Sequence, residues 1–216
     1  MTEHTKWENE YRTHINNFKN LKSYYNYKIK SKKTFINAII KYAEKDRPLI
    51  EAGSGTGLIS TYLTELGKNV TAVDIDPKMI EFANEINRNL SLESPNFVNA
   101  DIFNLPYSDN SFTVCFNYGV LEHYNKKQII DLINEQLRIA TYCIFGVPTE
   151  FFKNNSMHGD ENYLSMKEWQ EIINLTSGIL LKTKKQFNFH YYKHLFSLTK
   201  IFNFHQFYIF IVKKKL

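Results

Sequence analysis

Arginine is scarce in this chain: of 27 basic residues in 216, only Arg12, Arg47, Arg88 and Arg138 carry a guanidinium. That scarcity weakens the nucleic-acid reading that a net charge of +5 invites, because arginine leads in base and phosphate recognition. The lysine clusters at 28–33, 182–185 and 213–215 read instead as solvated faces. Cysteine is rarer still. Cys115 and Cys143 sit in apolar, strand-like runs, which suits reduced core thiols more than a disulfide framework. No Cys/His cluster has zinc spacing, so no metal site is expected. Long apolar runs are missing too. The longest late one, Phe207–Val212, is far too short to span a bilayer and fits alternating burial in a strand. The stretch Met1–Lys6 is polar, without the apolar segment of a signal peptide, and the cytoplasm is the expected compartment.

What is present belongs to a globular protein: 43% hydrophobic and 15% aromatic residues, in a length that suits one domain with a real core. There are no repeats and no low-complexity linker. The first 45 residues predict helices, with Trp7, Tyr11, Ile15 and Phe18, then Phe35, Ile36, Ile39, Ile40 and Ala43, recurring at three- and four-residue spacing. Pro48 ends that stretch. Beyond it, strands alternate with helices: Pro48–Ala52, Val70–Val73, Phe97–Val98, Phe112–Phe116 and Tyr142–Phe145 as strands, with helices after the first, second and fourth. Asp76 before Pro77 predicts a capped helix start. Such alternation implies a largely parallel sheet with helices on both faces. One more helix around Met166–Ile173 precedes two strand-like segments, near 179–189 and 205–213, which would place an antiparallel strand at the sheet edge.

The chemistry-bearing stretch is Glu51-Ala-Gly-Ser-Gly-Thr-Gly57, directly after the first strand. Glycines there let the chain turn sharply and let a ligand approach the main chain without a Cβ in the way. A dinucleotide fingerprint would place its third glycine at position 58, which is Leu58. The third glycine falls at 57 instead, which disfavours a nicotinamide cofactor and a dehydrogenase. Asp74 closes the second strand at the spacing where an acid reaches ribose hydroxyls. Asp76 suits the helix cap better.

These residues, with Asp101-Ile-Phe-Asn-Leu-Pro106 after the third strand and Asn117-Tyr-Gly-Val-Leu-Glu-His123 after the fourth, resemble the class I S-adenosylmethionine methyltransferases, most of all the small UbiE-like branch. The matching blocks run from about residue 47 to 147, and Gly159–Ser165 followed by Trp169 is similar to this branch as well. The resemblance implies a Rossmann-like, mostly parallel seven-stranded sheet with an antiparallel last strand. It divides the chain into a helical cover over 1–45, a cofactor core over 46–148, and a substrate-side loop with a C-terminal hairpin over 149–216. S-adenosylmethionine would be the cofactor. Gly53, Gly55 and Gly57 would pass beneath its methionine part with Glu51 nearby. Asp74 and Ile75 would meet the ribose, Asp101 and Ile102 the adenine, and Asn117 with Tyr118 the methionine end. Thr113 stands where many relatives carry Asp.

Methyl transfer from a sulfonium needs alignment and water exclusion more than any fixed catalytic group. His123, just beyond the fourth strand, is the foremost candidate for a base or a positioning residue. Glu122 is an alternative cap of the next turn. Tyr11, Phe151, Phe152, His158 and Tyr163 are candidates for the acceptor side, with the aromatic pair as an apolar wall. The expected acceptor is a small molecule methylated at O or N. An RNA or protein acceptor, or a non-catalytic cofactor-binding subunit, are the alternatives; the first lacks a proline-rich motif after the fourth strand. Acceptor identity and oligomeric state are not written in the sequence.

Overall fold

The computed structural model describes residues 4–150, 161–186 and 207–215. Phe151, Phe152 and His158 lie outside the described residues, as does the end of the strand-like segment beyond residue 186. Three helices come first, α1 (His4–Asn16), α2 (Leu21–Ser31) and α3 (Lys33–Tyr42). Then follow β1 (Leu49–Ala52), α4 (Leu58–Glu65), β2 (Val70–Asp74), α5 (Pro77–Leu90), β3 (Asn96–Asn99) and β4 (Phe112–Tyr118). A 3-10 turn over Leu121–His123 leads to α6 (Lys126–Ile139), β5 (Ala140–Pro148), α7 (Met166–Asn174), β6 (Gly178–Gln186) and β7 (Phe207–Lys214).

The seven strands form one sheet in the order β3-β2-β1-β4-β5-β7-β6. The first five pair in parallel, and β7 pairs antiparallel with both β5 and β6. From β1 the chain winds outward to β2 and β3, then returns to β4 on the other side of β1. Such a reversal opens a crevice at the carboxyl ends of the two central strands, which is where open α/β sheets bind ligands.

The two-residue period of a strand divides the core into two layers. Ile50, Cys115, Phe145, Phe210 and Val212 point to the layer closed by α6 and α7. Leu49, Val114, Phe116, Ile209 and Ile211 point to the layer closed by α3 and α4. Cys115 and Cys143 are free and buried. Phe207–Val212 departs from the expected alternation: every residue of β7 from Tyr208 to Val212 is buried. The reason is its place between β5 and β6, where both faces are covered; the edge strand is β6. The antiparallel pairing itself stands.

Local chemistry sets the helix ends. The Asp76 side chain accepts from the Lys78 amide, with Pro77 as the first helical residue of α5. Asn125 with Gln128, and Ser165 with Glu168, form reciprocal capping boxes at α6 and α7. Thr113 is fully buried, and its hydroxyl accepts from the Glu44 amide at 3.3 Å, fixing the entry to the sheet. No described helix is long and apolar enough to cross a membrane.

Candidate active site

At the exit of β1 the chain turns through three left-handed glycines, Gly53 (φ +75°), Gly55 (φ +52°) and Gly57 (φ +64°). Space as well as conformation demands glycine. A Cβ at Gly57 would lie 2.4 Å from the Phe97 ring, and one at Gly53 would lie 2.9 Å from Val120. The turn is tied to the next strand: the amides of Gly53 and Ser54 both donate to the Val73 carbonyl, at 2.9 and 2.8 Å. Gly55 donates to Oδ2 of Asp74 at 2.8 Å, while Oδ1 accepts from the Asp76 amide at 3.1 Å. Asp74 is thus fixed by two main-chain donors beside the glycine turn. Burial pushes its carboxyl upward, and those donors oppose the shift. Ile75, next along, is 55% exposed, an apolar surface beside the acid.

Glu51 lies beneath the turn, buried, with Oε2 accepting from the hydroxyl and amide of Ser60 at 2.6 and 3.2 Å. Burial raises its carboxyl to about 7, against the Ser60 donors and the nearby Lys32 ammonium. The Ser54 hydroxyl is buried close by, with no hydrogen-bond partner among the described residues.

The cleft at the turn holds ≈ 470 Å³ of empty space counted out to its open mouth, with Tyr11, Lys28, Lys32, Glu51, Gly53 and Tyr118 among its walls. Its roof comes from the N-terminal helices. The Tyr11 hydroxyl sits 2.9 Å from where a Gly55 Cβ would be, and burial pushes that phenol upward. Trp7 of α1 meets the His123 ring edge to face, with centroids 5.4 Å apart.

Of the residues expected from sequence, Glu51, Gly53, Tyr118 and Tyr11 line this cleft, and Asp74 joins it through Gly55. Tyr118 is clamped between α3 and β7, with Phe35 at 5.0 Å and Phe207 stacked at 4.4 Å, and its hydroxyl accepts from Gln186 at 2.8 Å. The Asn117 side chain turns away into the core, donating to Gln136 at 2.9 Å. Asp101 is exposed and its Oδ1 accepts from the Phe103 amide at 2.9 Å, whereas Ile102 is buried in the layer under α6. Glu122 is buried in the 3-10 turn. Tyr163 is half-buried beside Asn162, whose amides bind the Glu122 and Tyr124 carbonyls and latch the segment after β5 onto that turn. No group of metal-binding side chains occurs among the described residues.

Four residues escaped the sequence reading. Tyr124 is half-buried within electrostatic reach of both Asp74 and Asp101, and Phe103 packs against it at 5.3 Å. Lys28 and Lys32 belong to a cluster read as a solvated face, yet both are half-buried on the cleft wall, while Lys30 and Lys33 are exposed. Lys28 lies on α2 and Lys32 at its junction with α3, and nothing in the chain tells which way either side chain points.

Residues 50–145, the span that carries the turn, Asp74, Asp101 and the β4 exit, match the family model described as a methyltransferase domain. This core is a methyltransferase domain. Around it, the chain is 37% identical over 89 residues to the uncharacterized methyltransferase YodH of Bacillus subtilis, across 40% of this chain and 38% of that protein. It is 33% identical over 69 residues to the malonyl-[acyl-carrier protein] O-methyltransferase of Pectobacterium atrosepticum, across 32% of this chain and 25% of that one. The chain therefore spans well under half the length of these curated relatives. Among solved structures, magnesium protoporphyrin IX methyltransferase from Synechocystis PCC 6803 with bound SAM superposes at a TM-score of 0.62, with 16% identity over 87% of this chain and 78% of that one. At that identity the likeness is one of fold, a Rossmann-like sheet.

Proposed function

We propose that the chain is an S-adenosylmethionine-dependent methyltransferase acting on O or N of a small-molecule acceptor. The observation that carries this reading is the glycine turn bonded through Gly55 to Asp74, so closely packed that a Cβ at Gly53 or Gly57 would collide with Val120 or Phe97. It suits a nucleoside with an extended, charged tail. When bound, the cofactor supplies an electrophilic methyl on a sulfonium.

The residues then divide the work of holding and aligning. Asp74 accepts from the ribose hydroxyls with lone pairs left over from its two amide contacts, and Ile75 lies against the sugar or base. Asp101 accepts from the adenine amino group, with Ile102, Phe103 and Tyr124 shaping that end. Gly53, Gly55 and Gly57 pass under the methionine part, and Glu51 with the Asn117 carbonyl and Tyr118 meets its far end. His123, held against Trp7, would position the acceptor or take its proton. Tyr11, Glu122 and Tyr163 border the acceptor side, with Phe151, Phe152 and His158 assigned there on sequence alone. Exclusion of water by the α1–α2 roof and proximity supply the rate. The scarcity of arginine supports a small molecule over a nucleic acid, and the cytoplasm fits the same reading.

Titration calorimetry with S-adenosylmethionine and S-adenosylhomocysteine tests the cofactor. Micromolar binding is expected, weakened at least about tenfold by Asp74→Ala, which corresponds to about 1.4 kcal/mol. Unchanged affinity in that variant defeats the ribose assignment. Formation of S-adenosylhomocysteine on incubation with candidate acceptors tests turnover, and its absence with every acceptor leaves a binding subunit as the better reading.

A further inference from the structure

Two lysines, Lys28 of α2 and Lys32 at the junction of α2 and α3, line the cleft beside Glu51 and Tyr118. Lys32 Nζ lies 4.0 Å from the centre of the Tyr118 ring. Lys28 Nζ lies 5.6 Å from the Tyr24 ring and 5.9 Å from the Tyr11 ring. Both side chains are half-buried, and neither forms an ion pair or a side-chain hydrogen bond among the described residues. Glu10 is near Lys28, and Glu51 and Glu122 are near Lys32, as charges felt at a distance. Glu51 already gives one oxygen to Ser60. Burial brings the Lys28 ammonium down to about 8, and burial with its neighbour Lys28 holds Lys32 well below the ordinary lysine range.

Aromatic faces soften the cost of a partly desolvated cation but do not neutralise it. The two like charges repel, Lys28 acting on Lys32, and in a half-buried wall that repulsion is poorly screened. A structural role would place a carboxylate within reach of each ammonium. Among the described residues none lies within ion-pair distance, Glu10, Glu51 and Glu122 acting only from further off, and both lysines line the cleft.

We propose that Lys28 and Lys32 form an anion-binding subsite of the cleft, receiving a carboxylate or phosphate group of a bound ligand. The inference deepens the methyltransferase reading and rests on it for the identity of that ligand. The anion has two sources in this cleft, the amino-acid end of the cofactor or an acidic acceptor seated against Tyr118. Both are carboxylate-class chemistry, and binding measurements separate them.

The test compares wild type with Lys28→Met/Lys32→Met and Lys28→Arg/Lys32→Arg by calorimetry. Its probes are S-adenosylhomocysteine, 5′-methylthioadenosine (which lacks the amino-acid tail), and malonate added with and without the nucleoside. If the cofactor is the source, the Met pair binds S-adenosylhomocysteine at least tenfold more weakly and methylthioadenosine within twofold of wild type. If an acceptor is the source, both nucleosides bind normally, while malonate binding falls at least tenfold in the Met pair and returns in the Arg pair. Either pattern supports the subsite. Equal binding of all three probes to wild type and the Met pair overturns it. A wild type that binds neither nucleoside instead defeats the cofactor reading, and malonate without nucleoside still decides the subsite. Thermal melting supplies an independent readout: removing an unsatisfied pair raises the midpoint of the Met variant by a few degrees, whereas a structural pair gives a fall. Should the Met pair fail to fold, Lys28→Gln alone, with the same probes, decides: binding of all three within twofold of wild type overturns the subsite.

Discussion

The floor and the roof of the cleft are built by different means. The floor, the turn after β1, is main chain held by main chain: three left-handed glycines, two amides on the Val73 carbonyl and a third on Asp74. The roof, α1 and α2, is side chains held by side chains: Tyr11 over Gly55, Trp7 on His123, Lys32 on Tyr118. A floor of this kind accepts few residue types at each position. A roof of this kind accepts many.

The sharpest way to break that contrast is Gly57→Val. The left-handed backbone and the collision with Phe97 together cost about 3 kcal/mol, summing strain of about 1–2 and overpacking of about 1–3. Urea unfolding at constant m reads it. A loss under 1 kcal/mol would mean that the floor gives way as easily as the roof.

Next in size is the pH dependence carried by Glu51. Its folded carboxyl titrates near 7, above the ordinary 4.5. The folded state therefore holds the proton more tightly than the unfolded chain between those values. Stability contributed by the protonated form is fully present below about 4.5 and is lost as pH rises to about 7, with a slope of at most about 1.4 kcal/mol per pH unit for one proton. Glu51→Gln flattens that slope while keeping an acceptor for Ser60. Lys28 acts in the opposite sense: its ammonium is depressed to about 8, so stability is regained as pH rises from there toward the ordinary 10.5.

Smaller effects belong to the roof and its supports. Tyr118→Phe removes the acceptor for Gln186 but keeps the stack on Phe207, a loss of about 1 kcal/mol in a thermal or urea melt. Smallest is Arg12→Ala. Arg12 pairs with Glu8 and with Glu85 of α5 and lies 4.4 Å from the Phe82 ring, all at a solvated surface. About 0.5–1 kcal/mol is expected, shrinking in high salt. An Arg12 loss larger than that of Gly57→Val would invert the comparison.

The same contrast explains what was legible in the sequence. Gly53, Gly55, Gly57 and Asp74 announce themselves because few other residues satisfy left-handed backbone, a crowded approach and a strand-end acceptor at once. The parallel strands and the Asp76–Pro77 helix start were equally open to reading, since period and caps are local. Lys28 and Lys32 were not: a lysine-rich helix has the same pattern whether it faces water or a cleft. Nor was the place of β7. Phe207–Val212 fits an edge strand and an interior one alike, and only pairing with both β5 and β6 decides between them. The capping boxes at Asn125–Gln128 and Ser165–Glu168 were there to be found and passed unread.

The insertion of β7 between β5 and β6 has an outcome for the nascent chain. Since β6 touches the sheet only by way of a strand synthesised after it, residues 207–214 must be delivered before β6 has a partner and before β5, already paired with β4, gains its second. Until then β5 shows a bare hydrogen-bonding rim, an invitation to intermolecular pairing.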